Sequence, residues 1–274
     1  MFINVAQNGK WELNSPQIMG IINVTHDSFY ESSRAKSMAD FLAKAAQMIS
    51  EGAHILDIGA QSTRPGADII NTDTEIANLI PYLEALKNAY PTQLISVDTF
   101  NPNVAEQALK AGAHVINDIS GGSFDTKILE VVSKYNAGYI AMHITGNPQT
   151  MHQIEERADV IAAIINYMEM KKELLAKYGI TNWIIDPGFG FGKTVQENFD
   201  IVKRLQELKV VNLPILLGVS RKSSIYKTLG IGPEDALNGT TVLHTLGLLN
   251  GASILRVHDV KEAKQIIQLL PYLQ

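Results

Sequence analysis

Eight short runs of mostly apolar, β-favouring residues are spaced along the chain, and longer stretches of helical periodicity fill the intervals. The runs are QIMGIIN (17–23), HILDIG (54–59), QLISVD (93–98), HVIND (114–118), GYIAMH (138–143), WIID (183–186), PILLGV (214–219) and SILRV (253–257). Most are continuous rather than alternating, the pattern of parallel strands covered on both faces. Between them, MADFLAKAAQMISEG and NPNVAEQALKAG are helical. In the second, Asn101 stands at the N-cap, Pro102 at the first helical position and Gly112 at the end. Strand–helix units in such a series predict an α/β chain folded as a (β/α)8 TIM barrel, with a doubly wound sheet as the alternative.

Three junctions resemble one another: EGAHILDIG, AGAHVINDIS and NGASILRVHD each carry a helix-ending Gly, an Ala, then a buried strand. The leader FINVAQNGKWELN sets Asn8-Gly9 between alternating flanks, which predicts a β-hairpin covering the bottom of the barrel. No linker or compositional break divides the chain, so residues 1–274 read as one domain.

The chain is 46% hydrophobic and 19% charged, which excludes a disordered or collagen-like chain. A net charge of −5 argues against a general nucleic-acid or anionic-membrane surface. There is no cysteine, hence no disulfide, no thiolate metal site and no thiol nucleophile. The start lacks the layout of a signal peptide, and no apolar run approaches the ~18 residues of a membrane span. The expectation is a soluble cytoplasmic protein.

Active sites of such barrels lie at the C-terminal ends of the strands. Here those ends carry Asn23, the loop Gln61-Ser62-Thr63-Arg64, Asp98, Asn117, His143, Asp186, Lys222, Arg256 and His258. Each has an ordinary structural role available. Asp98 can cap a helix, Asn117 can satisfy loop backbone, Arg256 can form an ion pair, His143 can be a satisfied core histidine. Asp57, inside ILDIG, is expected to hydrogen-bond neighbouring strands, and His54 and His114 to be surface groups on the bottom face. Independent structural roles would not favour one rim so consistently. Asp98, Asn117, Asp186 and Lys222 suit a flat heterocycle bearing donors and acceptors, since a carboxylate accepts two parallel N–H bonds from an amino-pyrimidinone edge. Asn23, Ser220, Arg256 and His258 suit an anionic group such as a phosphate, with backbone N–H groups and Arg221 of GVSRKSS as further candidates. The HExxH and EF-hand patterns are absent, so a metal would be a Mg²⁺ shared with substrate phosphates.

The run DPGFGFGKT (186–194) invites a P-loop reading and fails it. The first glycine position holds Pro187, which has no N–H and a fixed φ. Read as a dinucleotide fingerprint, Gly188 and Gly190 would need a glycine at Lys193.

MGIINVTHDSF resembles the first signature of the dihydropteroate synthase family, and DIGAQSTRPGA its second. ISVDTF, INDISGG, MHITGNPQTM, DPGFGFGKT, GVSRKS and RVHDV resemble further family blocks in the same order, covering the chain from about Ile18 to its end. The resemblance implies condensation of 6-hydroxymethyl-7,8-dihydropterin diphosphate with 4-aminobenzoate, giving 7,8-dihydropteroate and pyrophosphate. It implies that Asp98, Asn117, Asp186 and Lys222 hold the pterin, with Ile119, Met142, Phe191 and Gly218 shaping its pocket. Asn23, Arg256 and His258 would hold the diphosphate with Mg²⁺, Asn23 being the metal contact. Phe29, Thr63, Pro65 and Ser223 would frame the aminobenzoate. The catalytic set implied is Asp98, Asp186, Lys222, Arg256 and His258, acting by SN1-like loss of diphosphate. A cytoplasmic homodimer and a sulfonamide target are also implied.

Three positions depart from the family pattern. His26 replaces a proline, Glu31-Ser32-Ser33 replaces Asp-Gly-Gly, and Gly59-Ala60-Gln61-Ser62 replaces Gly-Gly-Glu-Ser. The loops 26–34 and 61–68 are expected to be mobile and to assemble the arylamine site after the pterin is bound. Two alternatives remain open: a methyltetrahydrofolate–corrinoid methyltransferase domain on a similar barrel, and a non-catalytic pterin-binding paralogue.

Overall fold

The structure is a computed structural model that describes residues 1–7, 9–24, 37–61, 70–146 and 157–273. Asn8, His26, Phe29, Glu31, Ser32, Ser33, Ser62, Thr63, Arg64 and Pro65 lie outside the described residues.

A hairpin of β1 (Phe2–Val5) and β2 (Gly9–Glu12) opens the chain. Strands β3 (Gln17–Asn23), β4 (Ile55–Gly59), β5 (Leu94–Asp98), β6 (Val115–Asp118) and β7 (Gly138–Met142) follow. They continue with β8 (Ile184–Asp186), β9 (Leu216–Leu217) and β10 (Ile254–Val257). These form one eight-stranded sheet in the order β8-β7-β6-β5-β4-β3-β10-β9, with every pairing parallel. A parallel bridge from Ile185 to Ile215 joins its two edges, so the sheet is a nearly closed barrel. The open-sheet alternative is thereby set aside. PILLGV is shorter as a strand than expected, because its ladder with β10 covers only Leu216 and Leu217 and the closing seam is a single bridge at Ile215.

Helices separate the strands: α1 (Met38–Glu51), α2 (Thr72–Ala89), α3 (Pro102–Lys110), α4 (Lys127–Lys134) and α5 (Val160–Ala176). They continue with α6 (Val195–Lys203), α7 (Ser223–Leu229), α8 (Leu237–Leu249) and α9 (Val260–Leu269). As the sequence predicts, Asn101 caps α3, accepting the Asn103 N–H at 3.0 Å, with Pro102 opening the helix.

Strand alternation sorts the core into two layers. Leu56, Ile58, Ile95, Val97 and Leu255 face the helices, while Met19, Ile55, Val115, Ile184, Leu216 and Ile254 fill the barrel's lower interior. Ile3, Val5 and Trp11 of the hairpin pack into that lower layer, so the hairpin covers the strand-start end. Each such buried side chain contributes ~1.5–3 kcal/mol. Asn182 Nδ2 donates to Phe2 O at 2.7 Å and Ala6 N to His114 O at 3.1 Å, pinning the cover.

The three similar junctions share one structure. Gly52, Gly112 and Gly251 adopt φ of +105°, +108° and +102°, which glycine tolerates without strain. Two residues later, His54, His114 and Ser253 donate backbone N–H bonds to Ile18, Ile95 and Ile215. Their side chains also accept the N–H of those same residues: His54 Nδ1 at 2.9 Å, His114 Nδ1 at 3.1 Å and Ser253 Oγ at 3.4 Å. The expectation of surface groups is therefore corrected. His114 is buried and His54 half-buried, because each satisfies a strand-start amide that its neighbour leaves unpaired.

Candidate active site

The loop after β8 is built around a lysine. Lys193 Nζ donates to the carbonyls of Gly188 (2.8 Å), Phe191 (3.1 Å) and His143 (3.2 Å), and the side chain is buried. Burial, with Arg157 adding to it, pulls the Lys193 pKa well below its ordinary value. Three accepting carbonyls nevertheless require three N–H donors, which only the ammonium has. Gly188 has φ +70°, and a side chain there would collide with the His143 carbonyl; at Gly192 (φ +62°) it would come within 2.9 Å of Thr145 O. Thr194 then caps α6 in a reciprocal box with Glu197, which is salt-bridged to Arg157 at 2.8 Å. The GKT lysine ties its own loop, so it is not a phosphate ligand here.

That loop sets two expected site residues. Asp186 Oδ1 accepts Gly188 N–H at 2.7 Å, and its Oδ2 lies beside the open position at Gly218. Burial raises the Asp186 pKa against the opposing charge of Lys222. Lys222 Nζ donates to Phe189 O and lies 4.2 Å from the Phe191 ring centroid. Burial lowers it to about 8, opposed by Asp186. No salt bridge joins the two among the described residues; they interact through space.

Across the barrel, Arg256 Nη2 donates to Asp98 Oδ2 at 2.7 Å and Arg256 Nε to Asp57 Oδ2 at 2.6 Å. Asn117 Nδ2 donates to the same Asp57 oxygen at 3.0 Å; Asp57 was expected to bond neighbouring strands, and its partners instead stand on β6 and β10, each one strand beyond the neighbours β5 and β3. Burial pushes Asp98 up to about 7, with Arg256 opposing and Asp57 adding to the rise. Burial also opposes the Arg256 charge, but Asp57 and Asp98 outweigh it and hold the guanidinium protonated. Asp57 Oδ1, Ser96 Oγ and Asp98 Oδ1 are buried with no hydrogen-bond partner among the described residues. Such orphaned acceptors at a rim suit a ligand with N–H groups.

Two glycines adjoin this floor. A side chain at Gly59 would sit 3.3 Å from Asp98 Cβ and 3.8 Å from Asn23 Oδ1; one at Gly218 would sit 3.9 Å from Arg256 Cβ and Asp186 Oδ2. Gly59 thus adjoins Asp98 and Asn23, Gly218 adjoins Arg256 and Asp186, and the Arg256–Asp98 ion pair links the two positions. His258 donates its backbone N–H to Ser220 Oγ at 3.1 Å, with Nδ1 at 3.0 Å from the same hydroxyl. Burial and then Arg256 lower its pKa to about 3, so the imidazole is neutral. Ser223 is the first residue of α7, on the loop that carries Lys222.

Ile119, Met142 and Ile144 form a small apolar cluster, against which Phe100, Phe124 and Phe191 pack. It unites three residues expected at the pterin pocket, Ile119, Met142 and Phe191. Phe100 and Phe124, edge to face at 5.4 Å, are additions that strand-end reading misses because both lie in loops beyond the strands.

Other expectations change. Arg221 forms a two-pronged pair with Asp259 (2.8 and 2.9 Å) and donates to Pro233 O at 3.0 Å, so its guanidinium braces the α7–α9 region instead of the anion side. His143 is buried against Tyr167 at 5.0 Å, as a core histidine would be, but its Nδ1 has no hydrogen-bond partner among the described residues, so it is not the satisfied one expected. Gln61 Oε1 accepts Ile70 N–H at 2.9 Å, an acceptor role that an amide fills as well as an acid. Glu75 escapes notice in the sequence, since an acid in a first helical turn reads as a dipole partner. In the structure it is buried, accepts Thr99 Oγ1–H at 2.8 Å and is raised to about 7 by burial.

The family model described as "Pterin binding enzyme" matches residues 19–258. The dihydropteroate synthase of Synechocystis is 40% identical over 92% of this chain and 88% of its own. The solved dihydropteroate synthase of Yersinia pestis in complex with a sulfonamide drug superposes with a TM-score of 0.94 at 34% identity, covering 100% of this chain and 99% of that one. That of Thermus thermophilus in complex with 4-aminobenzoate gives 0.88 at 31% identity, covering 100% of both.

Proposed function

The chain belongs to the pterin-binding enzyme family, and on that premise we propose that it carries out the dihydropteroate synthase reaction. It joins 6-hydroxymethyl-7,8-dihydropterin diphosphate to 4-aminobenzoate and releases 7,8-dihydropteroate and pyrophosphate. The observation that carries this reading is the linkage of the polar groups at the strand ends: Arg256 pairs with Asp98 and adjoins the Gly218 position beside Asp186 Oδ2, while Gly59 adjoins Asp98 and Asn23. The relatives named above carry the synthase name, which disfavours the methyltransferase alternative.

Asp98, Asn117, Asp186 and Lys222 hold the pterin edge, over a wall of Ile119, Met142 and Phe191. The bond from the pterin methylene to diphosphate breaks, and the diphosphate leaves with the electron pair. Positive charge then develops on the pterin, where Asp98 and Asp186 stabilise it. Arg256 and His258 receive the leaving anion; His258, held neutral, serves as a hydrogen-bond donor instead of a charge. Fixed groups aimed at developing charge commonly contribute several kcal/mol. The arylamine nitrogen, already neutral at pH 7, forms the new C–N bond and loses a proton. Phe29, Thr63, Pro65 and Ser223 frame the aminobenzoate, and the same frame makes a sulfonamide a competitor for that site.

Among the described residues no cluster of three or more His, Cys, Asp or Glu could hold a metal alone. The amide oxygen of Asn23 beside the anion side fits a Mg²⁺ bound chiefly by substrate phosphate and water oxygens. Such an ion would neutralise charge on the leaving diphosphate. We assign the protein to the cytoplasm; among the described residues no helix is long and apolar enough to cross a membrane. A homodimer is supported by α8, which exposes Val242, Leu246 and Leu249 at helical spacing. Incubating the protein with both substrates and Mg²⁺ should yield dihydropteroate and pyrophosphate in equal amounts; pterin binding without either product would leave a non-catalytic paralogue.

A further inference from the structure

Asp57 is the one fully buried carboxylate among the described residues that touches both halves of the rim. It lies on β4, at the interior position between Ile55 and Gly59. A single oxygen, Oδ2, accepts from Arg256 Nε at 2.6 Å and from Asn117 Nδ2 at 3.0 Å. The two donors come from β10 and β6, so strands on opposite flanks of β4 are joined through one atom. Arg256 cannot be oriented by Asp98 alone. The Asp98 bond uses one terminal nitrogen, Nη2, and leaves the guanidinium free to turn about it; the second bond, at Nε, fixes the plane. The same oxygen that sets this plane fixes which edge of the Asn117 amide faces upward. With one Nδ2 hydrogen committed to Asp57, Oδ1 and the second N–H are what remain for a ligand.

We propose that Asp57 is a positioning residue for the reaction, holding Arg256 and Asn117 in register so that anion and heterocycle are gripped together. This rests on the function proposed above. The ordinary alternative is a buried ion pair that only stabilises the barrel, and the two readings differ in what is linked to what. A purely structural Asp57 would affect folding and leave Arg256 and Asn117 to act independently.

The test is a double-mutant cycle on Asp57→Asn and Arg256→Lys, read by pyrophosphate affinity and by kcat and KM. Lysine keeps the charge of Arg256 but lacks the Nε–H that meets Asp57. Positioning predicts that each single change lowers kcat/KM by at least ~10-fold, and that the double variant is no worse than the poorer single. Losses that multiply, or a thermal midpoint that falls in proportion to activity, would overturn it. A second reading needs no variant: the Arg256 Nε–H of the wild type should exchange with solvent far more slowly than that of free arginine. Exchange as fast as free arginine would also overturn the proposal. Failure of either test while the wild type makes dihydropteroate removes Asp57 from the mechanism alone; a wild type that makes no product removes the function beneath it.

Discussion

Arg256 Nη2 stands 2.7 Å from Asp98 Oδ2, so a guanidinium assigned to the anion side and a carboxylate assigned to the pterin side are one ion pair. Burial raises Asp98 above the usual carboxylate range and Arg256 opposes the rise. Pterin affinity should therefore strengthen as pH climbs through about 7, where Asp98 ionises. In Arg256→Ala that inflection should move to higher pH, because the opposing charge is gone, and kcat should fall by more than pterin affinity does. Fluorescence titrations of a pterin between pH 5 and 9 measure the inflection.

Gly188 and His143 predict a stability defect of a different kind. An Ala at Gly188 would need φ of +70° and would meet the His143 carbonyl well inside contact distance. The strain and the displaced Lys193 carbonyls together should cost ~3 kcal/mol or more. Gly188→Ala should lower the thermal midpoint and weaken pterin binding together, whereas a nucleotide should stabilise neither protein against heating.

His114 predicts an acid-sensitive fold. Burial and Lys87 lower its pKa from 6.5 to about 4. Its neutral form is favoured in the native state, so its contribution is complete above pH 6.5 and is lost as pH falls toward 4. Asp98 and Glu75, both raised, work in the opposite direction, so the comparison must be between variants. His114→Asn retains an uncharged acceptor for the Ile95 amide. Urea midpoints should show the variant losing less stability than the wild type between pH 6.5 and 4.5.

Phe29 lies outside the described residues, and its assignment to the arylamine rests on the resemblance of its loop. Phe29→Ala should raise the KM for 4-aminobenzoate strongly while pterin affinity stays within ~2-fold, roughly 0.4 kcal/mol. Equal losses for both ligands would make Phe29 an anchor of the loop instead.

The strands were legible because burial on both faces leaves nearly continuous apolar runs; 17–23 is a strand over its whole expected length. Asp98, Asn117, Asp186 and Arg256 were legible as a polar set at the strand ends, because interior-facing polar residues there serve no packing purpose; the ligand assigned to them stays a proposal. Asp57 was legible as a hydrogen-bonding residue, but its link to Arg256 was not, since the two are brought together only when β10 pairs beside β3. His114 and Arg221 were misread for a related reason. A histidine at a strand start looks solvent-facing, and an arginine beside a lysine looks placed for an anion, until the neighbouring amide or Asp259 is set against them.

The most direct test of the pterin site is a calorimetric titration with 6-hydroxymethyl-7,8-dihydropterin diphosphate, without aminobenzoate, of the wild type and Asp186→Asn. Asparagine can still accept the Gly188 N–H, so the loop keeps its bond while the charge facing the pterin is removed. The wild type should bind, and the variant should bind more weakly by about 1.5–3 kcal/mol, with its ligand-free thermal midpoint little changed. Equal affinity in the two proteins would contradict the account, because the pterin would then not lie against Asp186.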